Sequence, residues 1–280
     1  MSESQDYPLG YSEQEARRLA EQGALLEDLT KDVLRRAGVA HGMRVLDIGC
    51  GVGDVSLLAA RIVGKGGSVL GVDRASSSVE TARRRAASLG VTNLHFATAD
   101  AATLETDQRF DAIVGRLVLL YLPHPATVLR DLLRYLRPGG IVAFQEYDMS
   151  TASQAPPSEL FIKAQRWILD AFTAAGAHSD MGTKLFSTFL DAGLPPPSMM
   201  ASTPVVAGPT TAAGYEHIVQ ILRSLLPLIE RRGLAYVSEI DIDTLAARLR
   251  DDAVAHARVA FRARVVGAWA RLPVAGAGMD

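Results

Sequence analysis

Apolar and polar residues follow two alternating periodicities along the first half of the chain. Residues 13–37 carry leucine and valine at helical spacing among charges, which predicts one or two amphipathic helices that Gly38 ends. Five short apolar runs bounded by turn residues predict β-strands, at residues 44–48, 68–72, 94–98, 112–114 and 141–146. Helices are predicted between them, one ending near residue 63 and others at residues 78–89 and 125–136.

Strands that alternate with helices at this spacing predict an α/β fold, doubly wound, with a mostly parallel sheet covered on both faces. Ligands of such sheets bind beyond the carboxyl ends of the strands, where the strand order reverses. The second half of the chain is less regular. Its predicted helices cover residues 158–175, 183–192, 215–231 and 242–256, and its predicted strands cover residues 198–207 and 264–272.

Composition narrows the range of partners. The 280 residues carry 29 basic and 31 acidic side chains, so no general attraction to nucleic acid or anionic lipid is built in. Cys50 is the sole cysteine, which excludes an intramolecular disulfide and a thiolate-rich metal site. The polar, acidic start and the lack of a long apolar run are unlike a secretory signal or a membrane span. We therefore expect a cytoplasmic protein with no membrane or nucleic-acid partner.

The most informative segment is the glycine-rich turn at residues 45–54, VLDIGCGVGD, where the first strand passes into its helix. Gly49, Gly51 and Gly53 remove side chains, so the backbone can turn sharply and approach a ligand. A dinucleotide fingerprint needs its third glycine three places after the second, and Asp54 stands there. A pyrophosphate at this helix start would meet a carboxylate.

This segment resembles the first motif of class I S-adenosylmethionine-dependent methyltransferases, an Asp-x-Gly-x-Gly-x-Gly pattern matched at Asp47, Gly49, Gly51 and Gly53. The resemblance implies a seven-stranded Rossmann-like sheet, S-adenosylmethionine as cofactor and S-adenosylhomocysteine as product. It also implies that Asp47 helps to hold the ammonium group of the cofactor's methionine part, directly or through water. The alternative is that the glycines only form a tight turn.

Two aspartates farther along extend the resemblance. Asp73 ends the second strand, where a carboxylate can accept two hydrogen bonds from a ribose diol, and Arg74 beside it lies along the adenine or faces solvent. Asp100 and Ala101 resemble the family's adenine-recognition turn. Helix capping is the alternative for Asp73, and a purely local turn is the alternative for Asp100.

The fourth strand and the chain after it also resemble the family. The residue at the position of Arg116 commonly offers its backbone to the cofactor, and Leu117 packs nearby, although an arginine departs from the usual small or amide residue. Residues 136–140 resemble the Leu-x-Pro-Gly-Gly stop before strand five. The matches together cover about residues 40–148, half of the chain.

The implied domain organisation has three parts. Residues 1–40 form an amino-terminal helical segment or lid, residues 41–150 form the S-adenosylmethionine-binding core, and residues 151–280 complete the sheet. A helical cap at about residues 156–178 and 209–256 is expected to bind the methyl acceptor, because these stretches exceed what simple connections need. Helices that only buttress the sheet are the alternative.

Candidate catalytic groups are few. A base assists transfer to a hydroxyl or a protonated amine, and the candidates are Glu146 and, less favoured, His124, with Tyr147 and Asp148 nearby. The two acidic residues equally well cap the next segment, and His124 equally well forms a turn between its flanking prolines. No third convincing ligand accompanies the carboxylates, so no metal is expected.

Positions outside the motifs give further candidates. Tyr7 and Tyr11 could fold over the cofactor, with Gln22 reaching its methionine carboxylate, although a solvated or packed tail is the alternative. Aromatic and histidine side chains of the expected cap either line an acceptor pocket or pack the core. They are Phe161, Trp167, Phe172, Phe186, Phe189, Tyr215, His217 and Tyr236. A homodimer through the first helices or the cap fits the sequence.

The expected reaction is in-line methyl transfer to a small organic molecule, of which a secondary metabolite is one class. Two alternatives remain at this stage. One is an oxidoreductase that uses a nicotinamide cofactor on the same kind of sheet. The other is a methyltransferase fold that keeps the bound cofactor without transferring its methyl group.

Overall fold

A computed structural model describes residues 13–208 and 213–273 of the chain. Within these residues, seven strands form one sheet in the order β3-β2-β1-β4-β5-β10-β7. The strands are β1 (Arg44–Ile48), β2 (Ser68–Asp73), β3 (Leu94–Thr98), β4 (Phe110–Arg116), β5 (Leu136–Asp148), β7 (Ser198–Ser202) and β10 (Arg264–Arg271). The pairs among β1 to β5 are parallel, which confirms the doubly wound, mostly parallel sheet.

The strand order reverses between β1 and β4. The chain runs outward from β1 through β2 to β3 and then returns to place β4 on the other side of β1. Ile48 at the end of β1 pairs with Gly115 near the end of β4, so the loops that follow the two strands leave the sheet side by side. The ligand position expected of such a sheet is therefore the space beside these two loops.

Buried apolar strands hold this arrangement. Val45, Leu46 and Ile48 of β1 are fully buried, as expected of a central strand covered on both faces. The α-helices described up to residue 132 are α1 (Glu13–Ala37), α2 (Asp54–Val63), α3 (Ser76–Ser88) and α4 (Pro125–Leu132). Helix α6 (Met181–Asp191) follows later in the chain. Gly38 follows α1 with a φ of 91°, the left-handed conformation that ends many helices.

The prediction for residues 125–146 needs a correction. The helix predicted to reach residue 136 ends at Leu132, a short 3₁₀ turn follows, and β5 begins at Leu136 rather than near residue 141. Leu136 already pairs with Phe110, and a register shift then carries the chain past the Pro-Gly-Gly segment before Ile141 pairs with Ala112. An irregularity of this kind breaks the apolar alternation from which a strand is recognised.

The chain falls into two compact units. One contains residues 13–146, 181–201 and 266–273, and therefore holds almost all of the seven-stranded sheet. The other contains residues 147–180 and 202–208 with 213–265. Its helices are α5 (Glu159–Ala174), α7 (Ala213–Arg232), α8 (Val237–Ile240) and α9 (Ile242–Ala255). The functional division at residues 40 and 150 stays a prediction.

The stretches expected to form a helical cap do contain these helices, and the second unit also has short strands outside those stretches. Its described strands β6 (Ser153–Ala155), β8 (Val205–Ala207) and β9 (Val259–Phe261) form a small antiparallel sheet in the order β6-β9-β8. The single strand predicted at residues 198–207 is in fact two strands in different sheets, separated at Thr203 and Pro204. Three-residue strands are too short to show a periodicity, so this small sheet could not be predicted from the apolar pattern.

No helix among the described residues is both long and apolar enough to cross a lipid bilayer.

Candidate functional site

Among the three glycines of the turn after β1, one has open space around it in the described structure. All three have positive φ, and a Cβ on Gly49 would lie 2.5 Å from a methyl carbon of Val118. A Cβ on Gly53 would lie 3.0 Å from the ring of Phe96, so this glycine lets α2 approach β3. A Cβ on Gly51 would meet no atom of the described residues within 4 Å. The space over Gly51 is therefore the natural place for a ligand to approach the turn.

The carboxylate of Asp73 borders this space. Its Oδ2 accepts a hydrogen bond from the backbone N–H of Gly51 at 2.8 Å, and its Oδ1 accepts from the N–H of Ala75 at 2.9 Å. Asp73 thus ties the glycine-rich turn to the end of β2. Each carboxylate oxygen can accept a second hydrogen bond, and the residue is only half-buried, so a diol can still bind.

Asp47 lies deeper, on β1, and is completely buried. Its Oδ2 accepts a hydrogen bond from the Ser56 hydroxyl at 2.5 Å, whereas its Oδ1 has no hydrogen-bond partner among the described residues. Burial raises the pKa of this carboxyl to about 7, against the lowering effects of the Ser56 hydrogen bond and the Arg116 charge. An unpaired buried acceptor costs about 1–3 kcal/mol, so a cationic or N–H group placed at Oδ1 would be held favourably.

Arg116 points its side chain into the protein. Nη1 donates to the Thr30 hydroxyl on α1 at 3.0 Å, and Nη2 lies 3.7 Å from Oδ2 of Asp54. Arg85 also pairs with Asp54, at 2.7 Å. Two arginines therefore balance the charge of Asp54, the carboxylate that would otherwise repel a pyrophosphate. The spacing of the glycines is then the stronger argument against a dinucleotide ligand. Sequence reasoning missed this network because its members are far apart in the chain.

The turn after β4 has an unusual conformation. Leu117 has a φ of 56°, which is rare for a residue with a branched side chain. Its N–H donates to the carbonyl of Gln145 at 2.8 Å. The two next N–H groups, of Val118 and Leu119, donate to Oε1 of Glu146 at 3.0 and 2.8 Å. The turn is thus held from β5 by one carbonyl and one carboxyl oxygen.

Glu146 is completely buried, and its Oε2 has no hydrogen-bond partner among the described residues. Burial raises the pKa of this carboxyl to about 8, with the backbone hydrogen bonds from the turn acting in the opposite direction. A carboxyl group of this kind is largely protonated near neutral pH. The role of Glu146 as a general base remains a prediction, and its contacts are those of a structural brace.

The predicted adenine turn lies next to Asp73. The N–H of Ala99 donates to the Asp73 carbonyl at 3.0 Å, so the chain after β3 is anchored to the end of β2. Asp100 is exposed, and its Oδ1 accepts from the N–H of Ala102 at 2.8 Å, which is an Asx turn. Ala101 is half-buried and Arg74 is exposed. The local turn is present, and adenine recognition by Asp100 and Ala101 stays a prediction.

The remaining catalytic candidates are His124 and the two residues that follow Glu146, Tyr147 and Asp148. His124 is exposed and precedes α4 without capping it through its side chain. Asp148 accepts a hydrogen bond from the Ser150 hydroxyl at 2.5 Å, and its carbonyl accepts from the Thr151 hydroxyl at 2.6 Å. Within the described residues there is no group of three or more side chains suited to bind a metal ion.

The candidate residues near the amino terminus lie wholly or partly outside the described residues. Tyr7 and Tyr11 lie outside the described residues, and Gln22 lies in α1 with its side chain outside the described ones. The aromatic candidates divide by burial. Phe186 and Tyr236 are exposed at 44% and 81%. The buried members are Phe161, Trp167, Phe172, Phe189, Tyr215 and His217. Their part in an acceptor pocket stays a prediction.

A family model described as a methyltransferase domain matches residues 40–179, which is half of the chain. The chain belongs to the class I S-adenosylmethionine-dependent methyltransferases. The chain is 36% identical to the ubiquinone/menaquinone biosynthesis C-methyltransferase UbiE of Azotobacter vinelandii over 152 residues, 48% of this chain and 60% of that protein. It is also 36% identical to the methyltransferase GfsG of Streptomyces halstedii over 130 residues, 46% and 45% of the two chains.

The chain thus spans between about half and three fifths of the length of the curated relatives it matches. Solved structures agree on the fold. A putative methyltransferase from Bacillus halodurans superposes with a TM-score of 0.58 at 16% identity, covering 87% of this chain and 98% of that one. The [4+2]-cyclase SpnF superposes with a TM-score of 0.52 at 23% identity, covering 88% and 81%.

S-adenosylmethionine is the cofactor that this family uses, and the site has features that fit it. The open space over Gly51 admits a ligand next to the backbone, the half-buried Asp73 carboxylate borders that space, and the buried Oδ1 of Asp47 lacks a partner. An adenosine joined to an amino acid carries a diol and an ammonium group, which are the donors that these two carboxylates would accept. The family assignment replaces the alternative of a nicotinamide-dependent oxidoreductase.

Proposed function

We propose that this protein is an enzyme that transfers the methyl group of S-adenosylmethionine to a small organic molecule. The observation that carries the proposal is the open space over Gly51 at the point where the strand order reverses, bordered by Asp73. This is where a doubly wound sheet binds its ligand.

The residues proposed to hold the cofactor run from its adenosine end to its methionine end. Asp73 would accept from the ribose diol, with the turn of Asp100 and Ala101 at the adenine and Arg74 beside it. Asp47 would hold the methionine ammonium. Arg116 would offer its backbone after β4, with Leu117 packed nearby. Tyr11 would fold over the cofactor, and Gln22 would reach its methionine carboxylate. The assignment of these residues rests on the motif resemblance and on the hydrogen bonds of Asp73 and the burial of Asp47.

The bound cofactor supplies a methyl group on a positively charged sulfur. The protein's own contribution is then to orient the acceptor in line with that methyl group and to exclude water. Glu146 and His124 are the residues proposed for removing a proton from the acceptor, with His124 the more accessible of the two. The completely buried Glu146 can do so only if the acceptor or a water molecule reaches Oε2.

The acceptor is proposed to be a small, mainly apolar molecule. The balanced net charge of −2 provides no general attraction for a polyanion. About half of this chain is similar to each of two relatives whose names describe their activity. UbiE is named as a C-methyltransferase of ubiquinone/menaquinone biosynthesis, and GfsG is named as a methyltransferase. Residues 202–265 lie outside the segment 40–179 that the family model matches, so acceptor choice is expected to depend on them.

The test has two stages. Calorimetric titration of the full chain with S-adenosylmethionine, S-adenosylhomocysteine and NADH should give binding of the first two at micromolar concentrations and none of NADH. Incubation with labelled methyl donor and a set of small phenols, quinols and amines should then label one class. Binding without labelling of any acceptor would favour the use of the cofactor without transfer, and binding of NADH alone would refute the proposal.

A further inference from the structure

The turn at residues 117–119 adopts a conformation that its own sequence does not favour. Leu117 lies in the left-handed region, where a glycine or asparagine is common and a leucine is rare. Such a conformation persists when surrounding contacts determine it. The contacts that determine this one come from β5.

Glu146 supplies most of these contacts through one atom. Its Oε1 accepts hydrogen bonds from the N–H groups of both Val118 and Leu119. The Glu146 side chain is completely buried, and the residue directly follows Gln145, which pairs with Arg116 at the end of β4. A single carboxyl oxygen therefore fixes the two amide groups that follow the strained residue.

The turn at residues 117–119 also contacts the glycine-rich turn. The side chain of Val118 occupies the space where a Cβ of Gly49 would stand, with its methyl carbon 2.5 Å from that position. The contact joins the loops after β1 and β4, which leave the sheet side by side. The contact therefore joins the braced turn to Gly49, two residues before Gly51, over which the cofactor is proposed to bind.

We propose that Glu146 is a positioning residue that sets the affinity for the cofactor: its Oε1 holds the turn at residues 117–119 in the shape that closes Val118 over Gly49. This inference rests on the proposed function in one respect, that the cofactor binds beside the glycine-rich turn. The expected mechanism is a population effect, since loss of the brace lowers the fraction of molecules whose turn is ready to bind.

Two variants separate a brace from a base. Glu146→Gln keeps a carbonyl oxygen that accepts the same two N–H groups but cannot remove a proton. Glu146→Asp keeps a carboxyl group but is one methylene shorter, so its oxygens no longer reach the turn. A brace predicts that glutamine preserves binding and aspartate impairs it. The matched control is Glu80→Asp, which shortens an exposed glutamate on α3 that pairs with the solvent-exposed Arg84.

The experiment measures S-adenosylhomocysteine affinity by calorimetry and amide hydrogen exchange without ligand, after thermal denaturation has shown that each variant is folded. Glu146→Asp should bind about tenfold or more weakly, as expected when hydrogen bonds to a charged or buried group are lost. Glu146→Gln and Glu80→Asp should bind within threefold of the parent. The Val118 and Leu119 amides should be protected in the parent and in Glu146→Gln but exchange faster in Glu146→Asp.

Each result has a definite meaning. Fast exchange of the Val118 and Leu119 amides in the parent protein would overturn the inference without any variant. Equal affinity of the parent and Glu146→Asp, or loss of binding in Glu146→Gln, would also overturn it. If the parent itself fails to bind S-adenosylhomocysteine, the proposed function fails and the link to affinity fails with it, whereas the exchange data still decide whether Glu146 braces the turn.

Discussion

Two neighbouring turns meet where the strand order reverses, and they reach positive φ by different routes. The turn after β1 uses Gly49, Gly51 and Gly53, which adopt this conformation at little cost. The turn after β4 uses Leu117 and depends on Glu146, 28 residues away from Val118 in the chain, to hold it. The first turn is therefore encoded locally, and the second is encoded by a tertiary contact.

The largest effect is expected from crowding the contact between the two turns. Gly49→Ala places a Cβ 2.5 Å from the Val118 side chain, whereas Gly90 has the same φ of 65° and open space around it in the described structure. Left-handed strain should cost each variant about 1–2 kcal/mol, and overpacking should add about 1–3 kcal/mol at Gly49 alone. Urea denaturation of Gly49→Ala and of the control Gly90→Ala measures the difference. Equal losses would show that the two turns are not tightly packed.

The second-largest effect is expected on the affinity for the cofactor rather than on the packing of the two turns. Asp73→Ala removes a partly buried carboxylate beside Gly51 and should weaken S-adenosylmethionine binding by about 1.5–3 kcal/mol, roughly ten- to a hundredfold. Asp100→Ala should have a smaller effect, because that carboxylate is exposed. Calorimetry checks both against Asp107→Ala, an exposed loop residue. Affinities unchanged within twofold in both variants would remove the cofactor from this place.

A pH titration addresses the turn after β4. Because burial raises the pKa of Glu146 from 4.5 to about 8, the folded state holds this proton more tightly than the unfolded state. The resulting stability is complete below pH 4.5 and is lost as the pH rises towards 8. The loss should be on the order of 1 kcal/mol per pH unit within that window.

Urea denaturation of the parent and of Glu146→Gln at pH 5, 6, 7 and 8 measures this contribution. The glutamine variant should lose less stability with rising pH, while a residual slope of the same sign remains from Asp47, whose pKa burial raises to about 7. Identical pH slopes in the two proteins would mean that Glu146 is ionised in the folded state over the whole range.

The smallest effect on stability comes from the open glycine. Gly51→Ala has no neighbour to displace among the described residues, so it should cost only about 1–2 kcal/mol of left-handed strain, as in Gly90→Ala. Its affinity for S-adenosylhomocysteine should nevertheless fall at least tenfold, because the new methyl group occupies the ligand's space. A variant that binds as the parent does would place the ligand elsewhere.

The same contrast explains which features could be predicted from the sequence. Strands β1 to β4, the glycine-rich turn and the position of Asp73 at the end of β2 follow from local patterns, and the structure has them where expected. The start of β5 was missed because a register shift interrupts its alternation, and the small sheet was missed because its strands have three residues each.

The networks of Arg116 with Thr30 and of Glu146 with Val118 could not be predicted for a different reason. Their members are separated by 86 and 28 residues, and nothing in the local sequence around either member indicates the partner. The one local signal is Arg116 itself, an arginine at a position where the family pattern has a small or amide residue.

The most direct measurement is a crystal structure of the full chain grown with S-adenosylhomocysteine. The account predicts density over Gly51, with the ribose hydroxyls within hydrogen-bond distance of Asp73 and the amino group directed at Asp47. Density for the ligand at any other place, or an empty crevice in crystals of a protein that binds the ligand in solution, would contradict it.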